Sequence, residues 1–417
     1  MRILIVSKIF PPMNGARALQ LAKVVSALIR AGCEVQVVAG KDDAETTAAE
    51  QPCPVYYVPI AKDDAKSVLP GRLRRLSRQI ARARQRRRWS FRTAAVCRRV
   101  LETFQPDCVL SCSSLFDSHH PAYLLRGELR IPWIAFLSDP WPPSIAPEPY
   151  RQTAREQGVV KHYFQEWFGR TVLRACDAVV VTNAYVLQLL ERETRVPLAD
   201  KSFVIPHIGS ALNLRGEPTK NKLVHVGALT PQRSCPPLLT AMKRVAGELP
   251  DRFGGMLCVG DVCDAFRDSV RREGLDSLVE FAGHVPEAEA NAIAARSRVL
   301  LIIEADMQVS PYLPSKFADY AVAGRPILAV TAHRGPIREY LQTHGGGWAV
   351  GHDADEIAHA IRREFAAGSG DSSRTDLSPS PTLASVFKAE NVAGAYVDMF
   401  KTVMRRKPLE PASRKVA

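Results

Sequence analysis

Three short stretches of this 417-residue sequence place anion-binding groups where a loop enters a helix. In "YLPSKFADYAVAGRP", Ser315 and Lys316 fall in the first helical turn after the apolar run "RVLLII". Their N–H groups, the lysine ammonium and the helix dipole would converge on an anion. Asp319, about one turn further along the same face, could accept hydrogen bonds from a vicinal diol of the kind a ribose presents. A nucleoside diphosphate is the simplest ligand offering those groups in that order. "VHVGALTPQR" repeats the form, with Gly227 at the turn and Arg233 just before a helix, where a guanidinium can hold a phosphate by forked hydrogen bonds. "FPPMNGARALQ" puts Gly15 where a ligand could approach the backbone and Arg17 in the first turn of the first helix. Taken singly, each has a plain reading: a glycine turn, a solvated arginine, an acid that stabilises a helix start.

The elements that must position these residues alternate along the chain. "RILIV" is a short buried strand; a helix over about 16–31, Gly32 at its end and the strand "EVQVVAG" complete a βαβ opening and imply a parallel sheet. Strand-like runs recur at "PVYYVPI", "DCVLSC", "PWIAFLS", "DAVVVT" and "KSFVIP". A polar connection over 206–222 marks a domain boundary. The second half repeats the pattern with "KLVHVGAL", "GGMLCVGD", "LVEFAGHV", "RVLLII" and "RPILAVT", then a Ser-, Gly- and Pro-rich loop "AAGSGDSSRTDLSPSPT" and a last helix over 383–404. The expectation is two doubly wound α/β domains, 1–206 and 207–382, facing each other across a cleft that receives the ligand, with the last helix packing back on the first domain. Neither GxGxxG nor GxxxxGK[ST] occurs, which disfavours dinucleotide-dependent and P-loop chemistry.

Composition is that of an ordinary soluble protein, 46% hydrophobic and 24% charged. The net charge of +13 suggests a polyanionic partner, but twelve arginines and no acid lie between Gly71 and Leu101, so nearly all of the excess is local. Nucleic-acid binding by the whole surface is therefore not expected. Leu73, Leu76, Ile80 and Ala83 give that segment one apolar stripe, so Arg72, Arg74, Arg75, Arg78, Arg82, Arg84, Arg86, Arg87 and Arg88 could lie on an anionic membrane surface or simply be solvated. Trp89, Thr93, Val96, Val100 and Phe104 form a further, core-facing helix. Nine scattered cysteines fit a reducing compartment, and no apolar run approaches a membrane span or a signal peptide, so a cytoplasmic location is expected.

The ordered pieces "FPPMNGAR", "AGCEVQVVAG", "SHHPAYLLRGELRIPWIAFLSDPW", "ACDAVVVTN", "FVIPH", "LVHVGALTPQR", "EFAGHVP" and "LPSKFADYAVAGRPILAV" together resemble bacterial GT-B glycosyltransferases of retaining family 4, in the subgroup with PSK-x-x-[DE]-Y. The resemblance implies a C-terminal domain that binds a nucleotide sugar and an N-terminal domain that binds the acceptor. Arg233 and Lys316 would hold the donor diphosphate, Ser315 would add a hydrogen bond, Asp319 would take the ribose and Val285 would lie near the base. The position of the family's first glutamate is Pro311, and Ala228 stands where many members have arginine, which leaves Glu304 and Asp306 as substitutes for holding the sugar. His119, His120 and Asp139 follow N-terminal strands at the cleft edge; the resemblance favours His119 and Asp139 as the pair managing sugar and acceptor proton. Cations and helix N-termini would stabilise the departing diphosphate, with no cofactor and no metal expected. Retention is implied by the resemblance alone. A nucleotide-sugar epimerase or hydrolase, and a non-catalytic nucleotide-sugar or RNA-binding module, are the alternatives. Many relatives act on lipid-linked acceptors at the inner face of the plasma membrane, which favours the membrane reading of the arginine helix.

Overall fold

The computed structural model describes residues 1–13, 15–42, 51–60, 71–112, 116–151, 156, 158–210, 219–366 and 380–407, with backbone alone for 42, 71–76, 78, 79, 116, 160, 219 and 220. The Ser-, Gly- and Pro-rich loop expected over 366–382 lies almost wholly outside the described residues. So do the side chains of Arg72, Arg74, Arg75 and Arg78.

Two parallel sheets organise the chain. The first takes β1 (Arg2–Ser7), β2 (Glu34–Asp42), β3 (Val55–Ile60), β4 (Cys108–Cys112), β5 (Trp133–Leu137), β6 (Ala178–Val181) and β7 (Ser202–Val204) in the order β3-β2-β1-β4-β5-β6-β7. The second takes β8 (Thr219–Val226), β9 (Met256–Val259), β10 (Val279–Gly283), β11 (Ser297–Ile303), β12 (Ile327–Val330) and β13 (Gly347–Val350) in the order β10-β9-β8-β11-β12-β13. Central strands such as "CVLSC" are buried along their length because helices cover both faces. The architecture is thus two Rossmann-like domains. Strand order reverses between β1 and β4 in one sheet and between β8 and β11 in the other; in such sheets ligands sit beyond the carboxyl ends at that reversal.

Alternate residues of β1 serve different layers. Ile3 and Ile5 pack with α1 (Ala16–Arg30), while Leu4 and Val6 pack under α2 (Gly71–Phe104), α3 (Phe116–Leu125) and α4 (Val159–Ala175). The arginine segment and the Trp89–Phe104 stretch, expected as separate helices, are one continuous helix of 34 residues. No proline or glycine interrupts it after its first residue, and its second half carries an apolar row, from Trp89 to Phe104, that reaches the core. Likewise, "SSLFDSHHP" is not a loop throughout: Phe116 already begins α3.

The expected last helix over 383–404 is two helices, α12 (Pro381–Phe387) and α13 (Ala389–Arg406), because Lys388 between them adopts an extended conformation. Numbering the intervening helices α5 (Ala184–Thr194), α6 (Pro236–Glu248), α7 (Asp264–Arg272), α8 (Glu287–Arg296), α9 (Ser315–Ala323), α10 (Pro336–His344) and α11 (Ala354–Ala366), the break divides the loyalties of the chain end. Leu383 and Phe387 join the core that holds α9 and α10, whereas Val392, Tyr396, Met399, Phe400 and Val403 join the core around β1 and α1. Phe387→Ala and Phe400→Ala should each lose about 3–5 kcal/mol from opposite domains, as fully buried phenylalanines do. Hydrogen exchange resolved by strand should show the second sheet loosening in one variant and the first in the other.

Candidate active site

The reversal of strand order between β8 and β11 decides which loops meet. β8 delivers His225 and Gly227, and the chain after β11 delivers α9 with Lys316. Tyr320, buried one turn after Lys316, ties α9 to β8 by accepting a 2.8 Å hydrogen bond from the Val226 amide at its hydroxyl. Lys316 Nζ then lies 3.1 Å from His225 Nε2. On the other side of the imidazole, Nδ1 is 3.1 Å from the Leu301 carbonyl, which can only accept. The ring proton therefore sits on Nδ1, and Nε2 accepts from the lysine. Burial, and then the ammonium itself, press the His225 pKa well down. Burial and the guanidinium of Arg233 draw the Lys316 pKa down to about 7.

Gly227 makes this approach possible. Its φ is +110, and a Cβ there would stand 3.1 Å from Lys316 Nζ. Gly260, at the end of β9 with φ +118, would press a Cβ to within 3.0 Å of the Gly227 backbone. Around this floor, Pro314 caps α9 without a side-chain hydrogen bond, so the first-turn amides beside Ser315 have no side-chain partner at that cap. Gly324, left-handed at φ 63, ends the helix. Arg233 closes a short 3-10 turn, Pro231–Arg233, and its Nε donates to the Tyr150 hydroxyl of the other domain at 3.3 Å. Tyr150 in turn meets Tyr312 edge to face, ring centroids 4.9 Å apart.

Asp139 and Asp319 are each held by a cation from α1. Arg17 donates to Asp139 Oδ2 at 2.9 Å. Lys23 reaches across the domains to Asp319 Oδ1 at 2.8 Å, and the same oxygen accepts the Ser210 amide at 2.7 Å. His207, on the connecting segment, lies within electrostatic reach of both carboxylates, and burial lowers its pKa to about 4. Gly15 opens α1 at φ 133 with open space where a side chain would stand.

His119 is wholly buried on α3. Its Nδ1 lies 2.8 Å from Ser111 Oγ, which also accepts from the Trp133 indole at 2.8 Å, and its ring packs on Trp141 at 5.3 Å. It faces the sheet rather than the open cleft edge. His120 is turned among Phe91 and Phe168, and burial lowers its pKa to about 4. Glu304 is 3% exposed, with one oxygen taking the Ser310 hydroxyl and the other that of Thr331; burial raises its pKa. Glu304, just past β11, thus braces the loop at Ser310 against the end of β12 at Thr331. Val285 lies half-buried beyond β10, the edge strand, two places from β8. The triplet Asp353–Ala354–Asp355 is a helix start: Asp353 Oδ1 accepts the amides of Asp355 and Glu356, and Asp355 pairs with Arg244. Among the described residues no group of three His, Cys, Asp or Glu side chains could hold a metal ion.

Sequence reasoning did not single out His225, Tyr150, Tyr312 or His207. A signal existed for Tyr312, which opens the "YLPSK" stretch, and for His207, which closes "FVIPH". His225 alternates with apolar strand residues and reads as core.

The comparisons bear on the fold. Residues 19–208 match the family model described as Glycosyltransferase Family 4. Among curated proteins none matches. Among solved structures, the chain is similar to a sucrose-phosphate synthase from Thermosynechococcus elongatus, with TM-score 0.66, 15% identity and 97% and 99% of the two chains covered. A glycosyltransferase from Rickettsia africae gives 0.65, 12%, 97% and 98%. A UDP-GlcNAc 2-epimerase from Neisseria meningitidis bound to UDP-GlcNAc gives 0.56, 13%, 96% and 100%. The fold is therefore GT-B.

An anion near Lys316 favours its ammonium form, so binding should take up a proton wherever the free lysine is neutral. Sulfate, which does not titrate near neutrality, should raise the melting temperature fully below pH 7. Its affinity should then fall by up to about tenfold per pH unit above 7. In Lys316→Met the affinity should be weak and flat with pH; an equally steep profile in that variant would remove Lys316 from the site.

Proposed function

We propose that this chain is a glycosyltransferase that moves a sugar from a nucleoside-diphosphate sugar to a glycan or lipid-linked acceptor, in cell-surface polysaccharide or glycolipid synthesis. One observation carries the reading: Lys316, Arg233, Gly227 and the N-terminus of α9 meet at the strand-order reversal of the C-terminal sheet. That arrangement suits a diphosphate. The bond between the anomeric carbon and the diphosphate oxygen breaks as a bond to an acceptor oxygen forms, and the electron pair leaves with the phosphate. Positive groups fixed in advance at that oxygen lower the barrier more than they stabilise the intact donor. Ser315 adds a donor to the same anion, and the base would lie toward Val285. The ribose hydroxyls would share or displace the Lys23 contact at Asp319.

On the facing wall, Asp139, held by Arg17, is suited to receive the acceptor proton. His119, buried against Trp141, would act by positioning the segment that follows Asp139. The reaction would retain anomeric configuration and proceed without metal or cofactor, the two cations supplying the charge. The arginine row of α2 would bring the protein to the inner face of the plasma membrane. None of the described helices is long and apolar enough to cross a membrane.

The likeness to a UDP-GlcNAc 2-epimerase supports a second reading, in which the sugar is isomerised or released instead of transferred. The family match over residues 19–208 favours transfer. Thermal-shift screening against UDP-, GDP-, dTDP- and ADP-sugars should yield one donor class whose shift disappears in Lys316→Ala. Incubation of that donor without acceptor should leave it intact; epimerisation or free sugar would establish the second reading, and no shift with any donor would refute both.

A further inference from the structure

Two of the residues that would hold the donor are already engaged by the facing domain. Both lone pairs of Asp319 Oδ1 are taken, one by the Lys23 ammonium at 2.8 Å and one by the Ser210 amide at 2.7 Å. A vicinal diol that gives both hydroxyls to one carboxylate needs both oxygens, so it must lift Lys23 away. The Lys23 and Asp319 side chains are only 18% and 21% exposed, so salt screens their contact little. At the other end, Arg233 already gives its Nε to the Tyr150 hydroxyl at 3.3 Å. A guanidinium grips a phosphate through two parallel N–H groups, and its side-on pair includes Nε. Tyr150 is set there by its surroundings: its amide closes a turn on the Pro147 carbonyl at 2.9 Å, and its ring packs with Tyr312, Met307, Ala305 and Ala332 of the second domain.

Each engaged group meets chemistry like that of the ligand it would receive. The phenol oxygen accepts from the guanidinium as a phosphate oxygen would, and the ammonium donates to the carboxylate as a ribose hydroxyl would. Exchanging one such bond for another gains little, since the net worth of a hydrogen bond is the difference between the old partner and the new. Between the two ends lies Lys316, one turn before Asp319 on α9 and under the charge of Arg233. An ammonium carries three N–H groups, and His225 takes one of them. A ligand confined to one end therefore exchanges contacts, whereas one that spans both, across Lys316, gains from the whole site. Contacts away from the anion site still join the domains once both side chains are displaced: Asn183 donates to the Pro311 carbonyl at 3.0 Å, and the Tyr185 hydroxyl to Glu339.

We propose that Lys23 and Tyr150 are specificity-determining residues that hold the two seats of the donor: a nucleoside diphosphate displaces both, whereas a ligand with only the phosphates or only the diol displaces one. The proposal rests on the transferase reading for the identity of the ligand and deepens it, making two side chains of the first domain the selectors of a donor bound by the second. A contact that merely joined the domains would, on removal, lower the melting temperature and leave the choice among ligands as it was.

Calorimetric titration of the full chain with UDP, GDP and ADP, their 2′,3′-dideoxy forms and inorganic pyrophosphate separates these roles. Tyr150→Phe keeps the ring in its cluster and removes the hydroxyl, so pyrophosphate should bind it about three- to tenfold more tightly than the unaltered chain. Lys23→Met, or Lys23→Leu if the first does not fold, should raise the preference for the nucleoside diphosphate over its dideoxy form by about the same factor; in that ratio the lost positive charge cancels. Neither variant should move the other's readout. Unchanged or weaker pyrophosphate binding in folded Tyr150→Phe, or an unchanged diol preference in the folded Lys23 variant, would overturn the proposal; nucleoside diphosphate binding that Lys316→Ala abolishes would then leave the transferase reading standing without it. If no nucleoside diphosphate binds the unaltered chain or either variant, the transferase reading falls and the role of Lys23 falls with it.

Discussion

An ammonium pressed against a neutral imidazole, within reach of a guanidinium, is the constraint on which the C-terminal half is built. Burying Lys316 is unfavourable for its charge, and the fold holds it there by several independent means. The Leu301 carbonyl fixes the His225 tautomer, Tyr320 locks α9 to β8, and Gly227 keeps the space clear. Taken together they spend folding energy to preorganise positive charge, an arrangement expected where negative charge develops during a reaction.

Helix α1 does the corresponding work for the carboxylates. Arg17 and Lys23 lie on one helix, yet one serves Asp139 of its own domain and the other serves Asp319 of the facing domain. The connecting segment is gripped by the same helix, since Gln20 both donates to the Ile208 carbonyl and accepts its amide. Gly209 completes the seal: a Cβ there would meet the Ala318 carbonyl at 2.3 Å. The first helix of the chain thus ties Asp139, the connecting segment and α9 together, over sequence separations of up to 296 residues.

Those separations explain what could and could not be read from the sequence. Alternating apolar runs with glycine-terminated helices suffice for two parallel sheets, because each signal is local. The Ser315–Lys316–Asp319 spacing is equally local, being one helical turn. By contrast, the partners of these residues are set by strand order and domain docking. His225 meets Lys316 only because β8 neighbours β11, and Lys23 meets Asp319 only because two domains close on a shared segment. The burial of His119 had the same origin: its spacing after a strand suggested the cleft edge, while the length of α3 and the Ser111 hydroxyl turn it inward.

Lys388 sets the second crossing of the chain beside the first. The described chain passes between the domains at 205–210 and again at this extended residue, and Gly209 donates its amide to the Phe387 carbonyl at 2.9 Å, so both passages run side by side. Besides these crossings the domains are joined by the Arg233–Tyr150 and Lys23–Asp319 contacts, so widening the cleft would have to part side-chain contacts across it while the paired crossings keep the two bodies joined.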